Sequence, residues 1–321
     1  MNNYSGALYG FIMVFVYNFL DAGKEVYSGF LVQSAHPMMV TCIVFSAVLV
    51  FFQLFCLLKQ RKEYLHPWST WKPLVALNVT TAGSWITFFY CLKYLEPASA
   101  SAIITGVAPL LMVMIVPFFF STEKREYRLL LLTGIACSSL WLGIISLQEG
   151  RNTYNLSINE VAIGIILSVA CALFSIFSNI LSKKLSENAC RPESIMAHRF
   201  YLTVIVTLLF TLQRQEDMHS DMQNLFPGVL LLALLGLIIP LWCLQYGIKS
   251  LPPSRVMVLI SVSPVFTFGF QIFDPRLFPT ASSFVAILLI CFFSLAAEVW
   301  RIQHSGRVND GYHRVSEDRN G

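Results

Sequence analysis

YCLKYLEPASASAIITGVAPLL (Tyr90 to Leu111) and QYGIKSLPPSRVMVLISVSPVF (Gln245 to Phe266) decide how this chain folds. Each reads as a helix end, a lysine, a short proline turn and a second helix with a proline near its middle. Pro97 pairs with Pro252 and Pro109 with Pro264, both 155 positions apart, while Lys93 and Lys249 are 156 apart. Lys24 and Lys184, 160 apart, close the first helix of each copy. Self-similarity at this spacing is the mark of a duplicated architecture.

The medium around the repeat follows from composition. Of 321 residues, 56% are hydrophobic and only 12% charged, with mean hydropathy +0.64. A water-facing surface usually needs about 25% charged residues, so most of this surface meets lipid. With roughly 20 apolar residues per span, ten spans fit: 6–32, 37–58, 73–95, 97–120, 129–148, 161–182, 194–212, 227–249, 254–273 and 281–300. Only helices or closed barrels satisfy their backbone inside hydrocarbon, and these runs are too long and evenly apolar for barrel strands. The expected fold is an all-α integral membrane protein of ten transmembrane helices. They divide into two five-helix repeats, residues 1–150 and 151–302. An odd number of spans per repeat inverts the second copy.

Sixteen Lys and Arg fall in the connections on one side and five on the other, with Arg199 inside the seventh span. The positive-inside rule then places both termini in the cytoplasm. The net charge of +4 is used in this asymmetry and does not call for nucleic acid. Residues 303–321 lack apolar periodicity and read as a disordered cytoplasmic tail. Met1–Gly10 shows no basic n-region or cleavage site, so the first run reads as a retained helix. Asn155-Leu-Ser157 fits a glycosylation sequon. Eight cysteines, none in a Cys-x-x-Cys pair, read as small hydrophobes.

Polar residues within the spans mark the candidate binding surface. Tyr17, Asn18, Asp21, Lys24 and Glu25 share a face of the first helix; they form either an interfacial pair, Asp21 with Lys24, or a mouth that binds solute. Asn78, Thr81 and Trp85 share a face of the third span, with Tyr90 beyond. Ser101 and Thr105 precede Pro109. Ser178 and Asn179 punctuate the sixth span, Trp242, Gln245 and Tyr246 the eighth, and Ser261 and Pro264 the ninth. Pro109 and Pro264 each free a carbonyl, on Thr105 and Ile260, which must meet a side chain, water or solute. Arg199 either snorkels to the inner interface or binds an anion. Glu298 is placed to pair with Arg301.

At these residues the chain resembles the EamA type of the drug/metabolite transporter superfamily. The likeness is carried by Lys24, Phe88-Phe89-Tyr90, Ala98-Ser99-Ala100-Ser101 through Pro109, Glu123-Lys-Arg-Glu126, Leu-Leu-Thr-Gly134 and Gly143. In the second half it is carried by Lys184, Tyr246 and Pro264. The chain departs from the pattern at Asp274-Pro-Arg276, where glutamate is usual, and at Ile43-Val44, where an arginine is frequent. The resemblance implies inverted five-helix repeats around a solute cavity walled by helices one, three, four, six, eight and nine.

The expected function is secondary or facilitative transport of small organic metabolites, with amino acids or their derivatives favoured. A nucleotide-sugar or phosphorylated-metabolite antiporter is the alternative, and a channel or scaffold is the alternative of another class. Neither a Walker motif nor metal-ligand spacing of histidines occurs, so no enzyme, cofactor or metal is expected. Partners are the solute and the bilayer, with a homodimer compatible. A bacterial inner membrane is favoured, and a eukaryotic membrane is open.

Overall fold

The computed structural model describes residues 3–119, 129–149, 156–213, 226–275 and 280–317. Asn155, Glu123 to Glu126 and Arg276 lie outside this set, as does part of the lysine and arginine asymmetry.

The described chain is helical, without strands. The helices are α1 (Asn3–Ser34), α2 (Pro37–Lys59), α3 (Trp71–Tyr94), α4 (Pro97–Ile115), α5 (Leu129–Glu149) and α6 (Ile158–Glu187). Then come α7 (Pro192–Gln213), α8 (Phe226–Ser250), α9 (Pro253–Gln271) and α10 (Ala281–Glu317). Nine of them are long and apolar enough to cross a membrane among the described residues, and α5 contributes a shorter apolar stretch, Leu129–Leu142. This is a multi-pass membrane protein. The last helix runs to Glu317, where an irregular tail is expected from residue 303. Extending an existing helix needs no new nucleus, and no proline interrupts these residues.

Starts and stops follow local chemistry. Proline occupies the first turn of α2, α4, α7 and α9, where its missing amide is no loss. His36 Nδ1 accepts from the Met38 amide at the start of α2. Ser157 and Glu160 form a capping box at the start of α6, with bonds of 2.8 and 3.3 Å.

Two helices break, and each break is satisfied. In α7 the helix stops at His198 and resumes at Tyr201. Asn78 of α3 donates to the His198 carbonyl at 2.8 Å and accepts from the Leu202 amide at 3.3 Å. In α9 the break falls at Ser261–Val262, just before Pro264, whereas α4 passes through Pro109 unbroken. The paired prolines therefore act unequally. The α8 helix carries a π turn, Leu232–Ile238, beside α1.

Packing between helices cannot draw on a hydrophobic gain, since lipid is as apolar as leucine, so close approach and dispersion must hold them. The larger core joins α2, α3, α7 and α8 around Phe45, Phe52, Phe89 and Phe200. A second core joins α4, α5, α9 and α10.

The helix pairings repeat. Gly10 of α1 lies where an added Cβ would come 2.8 Å from Ser250 Cβ and 2.9 Å from Leu251 Cγ, in the last turn of α8 and just beyond it. Gly164 of α6 stands in the same relation to Leu95 Cγ (2.8 Å) and Tyr94 Cβ (2.9 Å), at the end of α3. Between the two settings the glycines differ by 154 positions and the contacted residues by 156. Further along, α1 runs antiparallel to α8, from Gly10 beside Leu251 to Lys24 beside Gly236. The α3 and α6 helices do the same, from Leu95 beside Gly164 to Thr81 beside Ser178. The α4 and α9 helices are antiparallel to each other. Gln271, at the end of α9, bonds the Ala98 amide and Glu96 at the start of α4, while Met257, early in α9, packs with Met112 and Val116.

Candidate functional site

A central cavity of about 110 Å³ lies among seven helices. Its walls come from α1, α3, α4, α6, α8 and α9, the six helices that the resemblance implies, and from α7 through Arg199.

The α1 helix contributes Tyr17, Asp21, Lys24 and Glu25, and α6 contributes Cys171, Ser175, Ser178 and Asn179. Both sets have the spacing i, i+4, i+7, i+8, which places four side chains along one helix face. Every member of the second set lies 154 positions after its counterpart, the offset that Gly10 and Gly164 show. Lys24 thus corresponds to Ser178. The pairing of Lys24 with Lys184 suggested by their helix-end positions does not match this register, and Lys184 Nζ rests 4.9 Å from the Phe119 ring. One wall is charged, the other neutral and polar.

The charged groups are not at an exposed rim. Asp21, Lys24 and Glu25 are buried. Lys24 Nζ is 2.6 Å from Asp21 Oδ1 and sits over Trp85 and Phe88, 4.8 and 4.4 Å from the ring centroids. The pair expected from the i,i+3 spacing forms, inside the bundle, with two aromatic faces adding to the lysine's stabilisation. Glu25 Oε2 accepts from Thr267 Oγ1 of α9 at 2.6 Å.

Arg199 is 7% exposed and lines the cavity, so it does not snorkel to an interface. Arg199 and Phe200 together make up the break in α7; Phe200 packs on Phe45, and the Arg199 guanidinium carbon lies 5.4 Å from the Phe200 ring centroid. Its guanidinium meets only neutral groups among the described residues. Nη1 bonds Gln245 Oε1 at 3.2 Å and contacts Met196 Sδ at 3.9 Å, and Nη2 bonds Ser178 Oγ at 3.1 Å. Nε and Nη2 share Thr81 Oγ1 at 3.4 and 3.3 Å.

Of the residues marked in the sequence, Asp21, Trp85, Thr105, Ser178 and Asn179 line the cavity, and Thr81 and Gln245 stand behind it on Arg199. Ser101 is buried in α4, its carbonyl accepting from Thr105 Oγ1 at 2.8 Å.

The others have structural partners. Asn18 donates to the Leu259 carbonyl at 2.8 Å. Asn78 closes the α7 break. Tyr90 stacks edge-on with His36. Ser261 bonds Ser294 and the Val258 carbonyl. Pro109 and Pro264 are buried in α4 and α9. Trp242 and Tyr246 both donate to Glu193 Oε1, at 3.2 and 2.6 Å, while their neighbours Leu241, Leu244 and Ile248 face the cavity. Glu298 pairs with Arg301 at 2.7 Å and also with Arg255 at 3.0 Å, linking α9 to α10.

Lys24, Glu25 and Arg199, which the sequence leaves between an interfacial and a solute-binding role, line the cavity as well. Lys24 and Glu25 lie toward the end of a long run, and Arg199 close to the start of one, where charges ordinarily reach water. Their burial depends on neighbours from other helices.

Residues 162–297, most of α6 through α10, match the model described as the EamA-like transporter family. No curated protein sequence matches. A solved crystal structure of a protein aligns with 93% of this chain and 98% of its own, at a TM-score of 0.65 and 18% identity. At that identity the likeness is one of fold alone.

Proposed function

From the premise that residues 162–297 form a unit of the EamA-like transporter family, within the drug/metabolite transporter superfamily, we propose that the chain is a carrier. It moves small organic solutes across a membrane by alternating access, with amino acids or their derivatives favoured. The observation that carries this reading is the cavity. Charged groups of both signs, a tryptophan face and neutral hydrogen-bonding groups converge in the interior of a bundle that otherwise meets lipid. Ionisable groups are expensive inside a membrane and mark solute paths.

The ten helices are read as two inverted five-helix repeats, residues 1–150 and 151–302. Supporting this are the matched glycine contacts, the 154-residue register of the two cavity walls and the antiparallel course of α4 and α9. Such repeats rock about a central site. Both termini are assigned to the cytoplasm and the protein to a bacterial inner membrane. The lysine and arginine asymmetry supports the first assignment.

The test is uptake into proteoliposomes of purified protein from a broad labelled panel of amino acids, amines, organic acids and sugars. Saturable uptake, accelerated by unlabelled solute inside, is expected. Absence of flux for every compound would reject the carrier, and flux that neither saturates nor shows counterflow would point to a pore.

A further inference from the structure

Two cations line the cavity among the described residues, and they are held differently. Lys24 is neutralised by Asp21 at 2.6 Å. Arg199 has no carboxylate within 4 Å among the described residues; it meets hydroxyls, an amide oxygen, a thioether and the ring of Phe200, all of them neutral. A buried charge is ordinarily paired, because neutral dipoles replace only part of its hydration. A guanidinium also has two parallel donors on its Nε–Nη2 edge, matched to two oxygens. Here both donors converge on the single hydroxyl of Thr81, at 3.4 and 3.3 Å.

A second observation points to the same place. Asn179 follows Ser178 on the cavity wall of α6 and is 3% exposed, yet neither of its amide atoms has a hydrogen-bond partner among the described residues. A buried amide left in this state carries the full desolvation penalty of each unsatisfied group.

We propose that Arg199 is the anion subsite of the cavity and takes the carboxylate of the transported solute. This rests on the carrier reading above. The carboxylate takes the Nε–Nη2 edge in bidentate fashion, Ser178 and Thr81 turn their hydroxyls toward it, and the Asn179 amide bonds an adjoining polar group of the solute. The Nε–Nη2 edge of Arg199 matches one carboxylate, and Asp21 and Glu25 on the same cavity disfavour a second negative charge, so the site selects a monoanionic head over a phosphate ester. The body of the solute then lies along the apolar wall of Leu241, Leu244 and Met257.

The test uses matched pairs in the proteoliposome assay: each amino acid beside its carboxamide, and glucose beside glucose 6-phosphate. Wild-type protein is expected to move the carboxylates at least about tenfold faster than the amides, the scale of a charge-assisted hydrogen bond. Arg199→Gln should erase that preference, and Arg199→Lys should keep part of it. Where a variant fails to insert, the wild-type contrast decides. Equal flux of acids and amides would overturn the subsite and leave the carrier standing. Preference for the phosphate ester would overturn the monoanion assignment. Absence of flux across all pairs would reject the carrier, and the subsite with it.

Discussion

Asn78 and Arg199 show how far a single side chain's role depends on what lies opposite it. Asn78 faces the break in α7 and supplies a donor to the His198 carbonyl and an acceptor to the Leu202 amide. A backbone break in a membrane bundle is tolerated only where such groups are satisfied. Asn78→Ala leaves both unpaired and is expected to destabilise the protein by about 1–3 kcal/mol, seen as a lower thermal midpoint of the purified protein. Asn78→Asp keeps the acceptor and loses the donor, so it should rescue little. An unchanged midpoint in both variants would remove Asn78 from this role. Arg199 sits beside the same break, and its buried position depends on that closure.

Among the elements, the contacts of α1 with α8 and of α6 with α3 are the most informative. Gly10 and Gly164 each admit the neighbouring helix end to a distance that a Cβ would occupy. Substitution by valine forces the helices apart, and overpacking of this kind typically costs about 1–3 kcal/mol. Gly10→Val and Gly164→Val are expected to lower the thermal midpoint by similar amounts. A large effect at one position and none at the other would argue that the two contacts are not equivalent. Gly6, with no atom within 4 Å of its would-be Cβ, is the internal control and should accept valine freely.

Over the whole molecule, the charge asymmetry of the connections predicts an orientation that labelling can read. Cysteine placed at Gln303, an exposed position on α10, is expected to react with a membrane-impermeant maleimide only after cells are opened. Cysteine at Gln33, exposed near the end of α1, should react in intact cells. The opposite pattern would reverse the assigned topology. The same experiment bears on the repeats, because an even number of crossings returns both termini to one side.

Hydropathy and the proline-marked turns were enough to place the helices and their order, because lipid imposes helix length and backbone pairing on each segment separately. The sequence also marked Asp21, Trp85, Thr105, Ser178 and Asn179, since polar groups within long apolar runs are conspicuous wherever they fall. It could not place Lys24, Glu25 and Arg199 in the cavity or send Trp242 and Tyr246 to Glu193. Near the end of a span, a charged side chain has water within reach by its own length, and only packing from other helices removes that choice. Nor could it show that α9 breaks before its proline while α4 does not. A freed carbonyl and a crowded turn can be absorbed by a kink or by a break, and the neighbours of each helix decide which.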